Sequence, residues 1–145
     1  MSIEIDAPCE VVFDVVHDYG RRLKWDTMLR EARLLDGATA AALGVRSLCV
    51  GTWQGAFLPM ETEYIRFDPG HAAAVTLTNH PLFFERFAAT IQHEALDNGR
   101  SKTTYIYFFR ARPRLLAPLL EPVMNVMLKR EVRKRLDSLR GYLET

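Results

Sequence analysis

Cysteine is scarce in this sequence: Cys9 and Cys49 are the only two, forty residues apart and outside any CxxC or Cys/His grouping. Neither a disulfide framework nor a zinc site is suggested by that usage, and both thiols read as small buried hydrophobes. Long hydrophobic runs are missing as well. None approaches the roughly 20 apolar residues of a membrane-spanning helix, and no basic-then-apolar leader is present, so the expectation is a cytoplasmic protein. An excess of one charge is also lacking: 19 Lys and Arg face 18 Asp and Glu, a net charge of +1, which speaks against nucleic acid as a partner. There is no internal repeat, no low-complexity tract and no Ser/Gly linker that would divide the chain. Glycine-loop and nucleophile motifs (Walker, GxGxxG, GxSxG) and HExxH are likewise missing. The four histidines, His17, His71, His80 and His93, lack ligand spacing, so neither a metal nor another cofactor is expected.

What is present is enough for one sizeable core: 145 residues, 48% of them hydrophobic, fit a single domain over 1–145. Ile3-Glu4-Ile5 alternates like a short strand, and Asp6 followed by Pro8 reads as a helix start, with Asp6 as N-cap. Val12, Val15, Val16 and Tyr19 then fall on one helical stripe, broken at Gly20, and a second short helix is expected from Arg21 to about Met28. Six β-like segments follow: 29–35, 45–53, 60–67, 73–78, 84–95 and 103–111. Asp36-Gly37, Asp68-Pro69-Gly70 and Asp97-Asn98-Gly99 punctuate them with turn formers, so neighbouring strands should be antiparallel. After Pro113 the helical period returns, and Leu128, Val132, Leu136, Leu139 and Leu143 trace a stripe, with Pro122 expected at the first position of the main helix. The order predicts an α+β helix-grip fold. A seven-stranded curved antiparallel sheet would wrap a long C-terminal helix, with two short helices after strand one. Such a sheet leaves a cavity against the helix, and cavities of that kind bind apolar ligands.

Ile3 to Pro8 leading into Val11 to Val16, the Tyr19 to Trp25-Asp26 segment, and Phe108 to Pro113 running into the last helix together resemble the SRPBCC superfamily, also called START-like. Within it the chain is most similar to the bacterial polyketide cyclase/dehydrase-type proteins. That resemblance implies the helix-grip fold and a role among the binders of lipids, sterols, polyketides, hormones or ubiquinone. It also keeps open aromatase/cyclase chemistry and an oxygenase iron site, so membership alone does not decide function.

Candidate residues follow from strand parity. Tyr105 and Tyr107 share one face of the last strand and Ile106 and Phe108 the other, and both faces are apolar enough to need cover. His93 shares parity with Phe87, Ala89 and Ile91, which places it on a buried face, where a satisfied core histidine is the commoner outcome. Glu61 and Glu63 share a face with Ile65 and Phe67. They enter the cavity if those residues point inward and are surface charges if Tyr64 does. His17 lies off the Val12 stripe and reads as a solvated histidine on the helix flank. Residues 115–128 are apolar nearly all round, and a ligand, a homodimer partner or a membrane interface would cover the second side.

The expected function is enclosure of a small hydrophobic molecule, with Trp25, Trp53, Tyr64, His93, Tyr107, Met124 and Met127 as candidate contacts. The alternatives are a polyketide aromatase/cyclase that moves protons with His93, Tyr105 or Glu61, and a lipid or quinone chaperone making peripheral membrane contact. The last would use the basic stretch Lys129 to Arg135; residues 112–145 hold eight basic against four acidic side chains. A solvated helix face is the simpler explanation of that stretch, because the same helix also carries Glu131 and Asp137.

Overall fold

The computed structural model describes residues 1–52 and 59–145. Strand β1 (Ser2–Ile5) leads into helices α1 (Cys9–His17) and α2 (Arg22–Trp25). Strands β2 (Leu29–Leu34), β3 (Arg46–Gly51), β4 (Pro59–Asp68), β5 (Ala72–Leu77), β6 (Phe84–Ala95) and β7 (Ser101–Ala111) follow, and helix α3 (Ala117–Leu143) ends the chain. All seven strands form one antiparallel sheet in the order β1-β7-β6-β5-β4-β3-β2. Consecutive strands from β2 onward are therefore neighbours, and β1 closes onto β7 with Ser2 opposite Thr104 and Ile5 opposite Ser101.

The β6–β7 hairpin shows how local chemistry sets this order. Asn98 and Gly99 both take left-handed backbone angles, φ 61° and 72°, conformations that asparagine and glycine tolerate best. Ala95 is thereby brought opposite Ser101, and the two longest strands zip together from there.

Two helix starts differ from the sequence expectation. Pro8, not Asp6, is the N-cap of α1, with extended backbone and no side-chain cap; the Asp6 amide instead donates to Glu144 Oε1 at 3.0 Å, tying the entry of α1 to the end of α3. Helix α3 begins at Ala117 rather than at Pro122 and runs for 27 residues, about 40 Å at 1.5 Å per residue. Pro118 sits in its first turn, where the amide has no helical partner to lose, and Pro122 lies inside. An interior proline removes one rung, the bond to the Pro118 carbonyl, and the flanking turn still forms, with the Leu120 amide on the Leu116 carbonyl at 2.9 Å.

The core lies where α1 and α3 press on the concave face. Val132, Leu136 and Leu139 of the α3 stripe are buried with Ile3 and Ile5 of β1, Val12, Val15 and Val16 of α1, and Trp25 of α2. The outward side of the first turns of α3 and of the residues before it is open: Leu115, Leu119, Val123 and Val126 are exposed. Among the described residues no helix is long and apolar enough to cross a membrane.

Candidate functional site

A cavity of about 160 Å³ lies between the concave face of the sheet and α3, closed at one end by α1 and α2. Two β-bulges shape the concave face behind it. Between Tyr64 and Arg66 in β4, and between Phe84 and Arg86 in β6, the register shifts by one residue, which turns residues on either side of a bulge to the same face. Tyr64 and Phe67 both pack inward as a result, and so do Phe84 and Phe87. Strict alternation would have placed each pair on opposite faces.

The opposite wall comes from α3, which contributes Leu128, Glu131, Val132, Arg135, Leu136 and Leu139. On β7 the question left open by parity is resolved: Tyr105 and Tyr107 line the cavity, while Ile106 and Phe108 stand half exposed on the outer face. The Tyr107 hydroxyl donates to Asn125 Oδ1 at 2.7 Å, a clamp between sheet and helix.

Polar groups occur at two places in this apolar enclosure. The first is a run of side chains across α1, β4 and β3. His17 Nδ1 lies 2.7 Å from the Tyr64 hydroxyl, which is 3.3 Å from the Tyr19 hydroxyl; Tyr19 donates to Ser47 Oγ at 3.1 Å, and Ser47 meets Thr62 Oγ1 at 3.1 Å. With Tyr19 donating to Ser47, every link is satisfied when His17 Nδ1–H donates to Tyr64 and Tyr64 to Tyr19, which leaves His17 Nε2 as a buried lone pair without a partner among the described residues. Burial, and then the positive charge of Arg22, push the His17 pKa down to about 3, so the ring is neutral. Tyr64 is pushed far above the usual phenol range, chiefly by burial.

The second polar place is a charged cluster. Asp26, fully buried, accepts from Arg22 Nε at 2.9 Å and from the Met28 amide at 3.2 Å. Arg135 Nε stands 2.9 Å from the same Asp26 Oδ2, close as an ion pair though not aligned as a hydrogen bond. Burial works against the Asp26 charge, but Arg135 and Arg22 outweigh it and hold the carboxyl below its ordinary range. Arg22 also lies over the Trp25 ring at 5.1 Å and the Tyr19 ring at 5.8 Å, and donates to the Val16 carbonyl at 3.2 Å, so its guanidinium is fixed on several sides.

Of the residues expected from the sequence, Trp25, Tyr64, Tyr105 and Tyr107 line this cavity. Met124 and Met127 line instead a smaller hollow of about 20 Å³ with Phe83 and Phe84, nearer the start of α3, because that part of the helix lies beyond the end of the main cavity. His93 is buried but is not among the lining residues: it packs edge-on to Phe13 at 5.8 Å and pairs through Nδ1 with Thr103 Oγ1 at 3.0 Å, a core position in which Nε2 has no partner among the described residues. Burial pushes its pKa down to about 4. For Glu61 the structure selects one of the two alternatives: with Tyr64 inward it lies on the outer face, away from the cavity, bonded to Arg46 and accepting from Thr78 Oγ1 at 3.1 Å. Trp53 falls outside the described residues.

Sequence reasoning took His17 for a solvated histidine and Glu131 and Arg135 for parts of a charged helix face, and it did not single out Arg22 and Asp26; the structure puts His17, Arg22, Glu131 and Arg135 on the cavity wall, with Asp26 behind them. His17 faces inward because α1 buries a wide arc that includes Phe13, one turn before it, at 4.4 Å between ring centroids. Phe13 was the available signal. Among the described residues no group of three His, Cys, Asp or Glu side chains is placed to hold a metal.

Comparison with known proteins agrees with this geometry. The family described as polyketide cyclase / dehydrase and lipid transport matches residues 1–144. Solved structures of the same fold include a START superfamily protein from Mycobacterium smegmatis, with TM-score 0.79 and 12% identity over 99% of this chain and 94% of that one. The Zhui aromatase/cyclase from a Streptomyces species gives TM-score 0.80 and 14% identity over 99% and 91%. A protein of Thermus thermophilus gives 0.79 and 14% over 99% and 94%. At such identities the likeness is one of fold. No protein of curated function matches the sequence significantly.

Proposed function

This chain belongs to the polyketide cyclase/dehydrase and lipid transport family, and we propose that it encloses one small hydrophobic or aromatic molecule, a polyketide-like metabolite or a lipid, between its sheet and α3. The observation that carries the reading is the cavity itself: about 160 Å³ walled by Tyr64, Phe84, Phe87, Tyr105 and Tyr107 on one side and the α3 stripe on the other. An apolar enclosure with a few placed polar groups is the usual form of a small-molecule site. Titration with a hydrophobic fluorescent probe should show one saturable site. Tyr107→Ala, which removes both a wall and the clamp to Asn125, should weaken it by more than about 1.4 kcal/mol, a tenfold change. Folded protein without saturable binding, and without any metabolite released on denaturing the freshly purified chain, would end this reading.

A second reading is favoured by the run of side chains that starts at His17. A neutral imidazole with one unpartnered nitrogen, linked through Tyr64 and Tyr19 to Ser47, is an arrangement that can accept and relay a proton. On that reading the protein is an aromatase/cyclase-type enzyme. A linear poly-β-ketone incubated with the protein distinguishes the two: a carrier returns it unchanged, and an enzyme returns a ring.

A further inference from the structure

The charged cluster has an unequal count. Two guanidinium groups, Arg22 and Arg135, share one carboxylate, Asp26, through the same oxygen at 2.9 Å each. The side chains are only 12% and 18% exposed, so bulk water does little to neutralise the surplus. Asp26 engages the Nε edge of both arginines, and among the described residues no hydrogen bond is made by Arg135 Nη1 or Nη2, nor by Arg22 Nη2. Both arginines line the cavity. The open edge of a guanidinium is a planar two-donor fork that matches a carboxylate in geometry and charge.

The group that could supply the missing charge is Glu131, one helical turn before Arg135 and also on the cavity wall. Its Oε1 is buried and has no hydrogen-bond partner among the described residues, so it does not complete the cluster. Other titratable or charged groups near the cluster are Cys49 from β3, Tyr105 from β7 and Lys134 from α3. The Cys49 thiol is pushed up by burial and stays protonated at neutral pH.

We infer that Arg135, backed by Arg22 and held by Asp26, is the anchor for a carboxylate on the enclosed molecule. This rests on the enclosed-ligand reading above and narrows it to an apolar or aromatic acid whose ring or chain lies along Tyr105 and Tyr107. Burial is the main reason the Glu131 pKa is raised, and the charge of Asp26 adds to it, while Arg135 and Lys134 pull it the other way.

Calorimetric titration of the full chain with 2-naphthoate and with 2-naphthamide, which share a ring system and differ in charge, tests the anchor. The acid should bind about tenfold or more tighter than the amide, as expected for a charge-assisted fork in a buried site. Arg135→Gln should bring naphthoate down to about the affinity that the amide shows in the same variant. Arg135→Lys, which keeps the charge without the fork, should retain part of the preference, and Glu131→Gln should keep or increase it. Melting curves confirm that each variant is folded; if Arg135→Gln is not, the lysine and Glu131 variants decide. Equal binding of acid and amide overturns the anchor and leaves the enclosed-ligand reading standing. A naphthoate preference that survives in folded Arg135→Gln also overturns it, and binding of neither probe removes both.

Discussion

His17 Nδ1 lies 2.7 Å from the hydroxyl of Tyr64, forty-seven residues later in the chain, and the pair joins α1 to the centre of the sheet. Tyr64 is 2% exposed, and its hydroxyl serves His17 and Tyr19 together. Tyr64→Phe keeps the ring and removes the oxygen, leaving His17 without a hydrogen bond on either ring nitrogen among the described residues. Stranding a buried polar group costs about 1 to 3 kcal/mol. Urea unfolding should show that loss, and a change below about half a kcal/mol would mean that water replaces the phenol.

The two histidines make stability depend on acid. His17 and His93 are held neutral in the fold, with pKa values of about 3 and about 4, against 6.5 for the free side chain. Below 6.5 the unfolded chain therefore binds protons that the native chain refuses, so their contribution is complete above that pH and falls as pH drops toward 4. The Asp26 carboxyl, held below its ordinary value, loses its contribution only at still lower pH. Unfolding free energies from urea titrations should be flat above pH 7 and fall between about 6.5 and 4.5, by on the order of 5 kcal/mol for the pair. His93→Asn should flatten part of that slope. A midpoint that is level down to pH 4.5 would show that the rings protonate freely in the folded chain.

The fold was legible in the sequence where one physical signal dominated. The Val132, Leu136, Leu139 stripe, the Asn98-Gly99 hairpin and the alternation of Tyr105 and Tyr107 with Ile106 and Phe108 each depend on a single period or a single turn. The site was less legible because its shape depends on departures from those periods. Bulges at β4 and β6 put Tyr64 with Phe67 and Phe84 with Phe87, pairs that strict alternation separates. Arg22 with Asp26, and Glu131 with Arg135, are spaced four apart and look in sequence like ordinary pairs on solvated helix faces. Only the docking of α2 against α3 turns those faces toward each other and makes Asp26 the shared partner.

Asp26 should accordingly be among the least replaceable residues. Asp26→Asn preserves its size and its acceptor for the Met28 amide but leaves Arg22 and Arg135 buried without the carboxylate they share. Removing one partner of a buried ion pair costs about 3 to 5 kcal/mol, far more than the pair itself contributes. Circular-dichroism melts should show a drop of that size, and double replacement with Arg135→Met should recover part of it. A near-neutral single variant would mean that the arginines reach solvent in the native state.

Leu136 tests the grip itself. It is 1% exposed, belongs to the cluster that joins Ile5, Val12 and Trp25 to α3, and also lines the cavity. Truncating a buried leucine costs the transfer of its side chain plus the void left behind, about 2 to 5 kcal/mol in total, and the cost is larger where the surroundings cannot collapse. Here one side of the side chain is an existing cavity and the other is a β-sheet held by its ladder, so collapse is limited and Leu136→Ala should cost about 3 kcal/mol or more. Val126→Ala, ten residues earlier on the same helix and 62% exposed, should change stability by less than about half a kcal/mol. Denaturant melts of the two variants side by side separate burial from helix propensity, because both create alanine in α3. Equal losses at the two positions would show that the α3 stripe is not what the sheet holds.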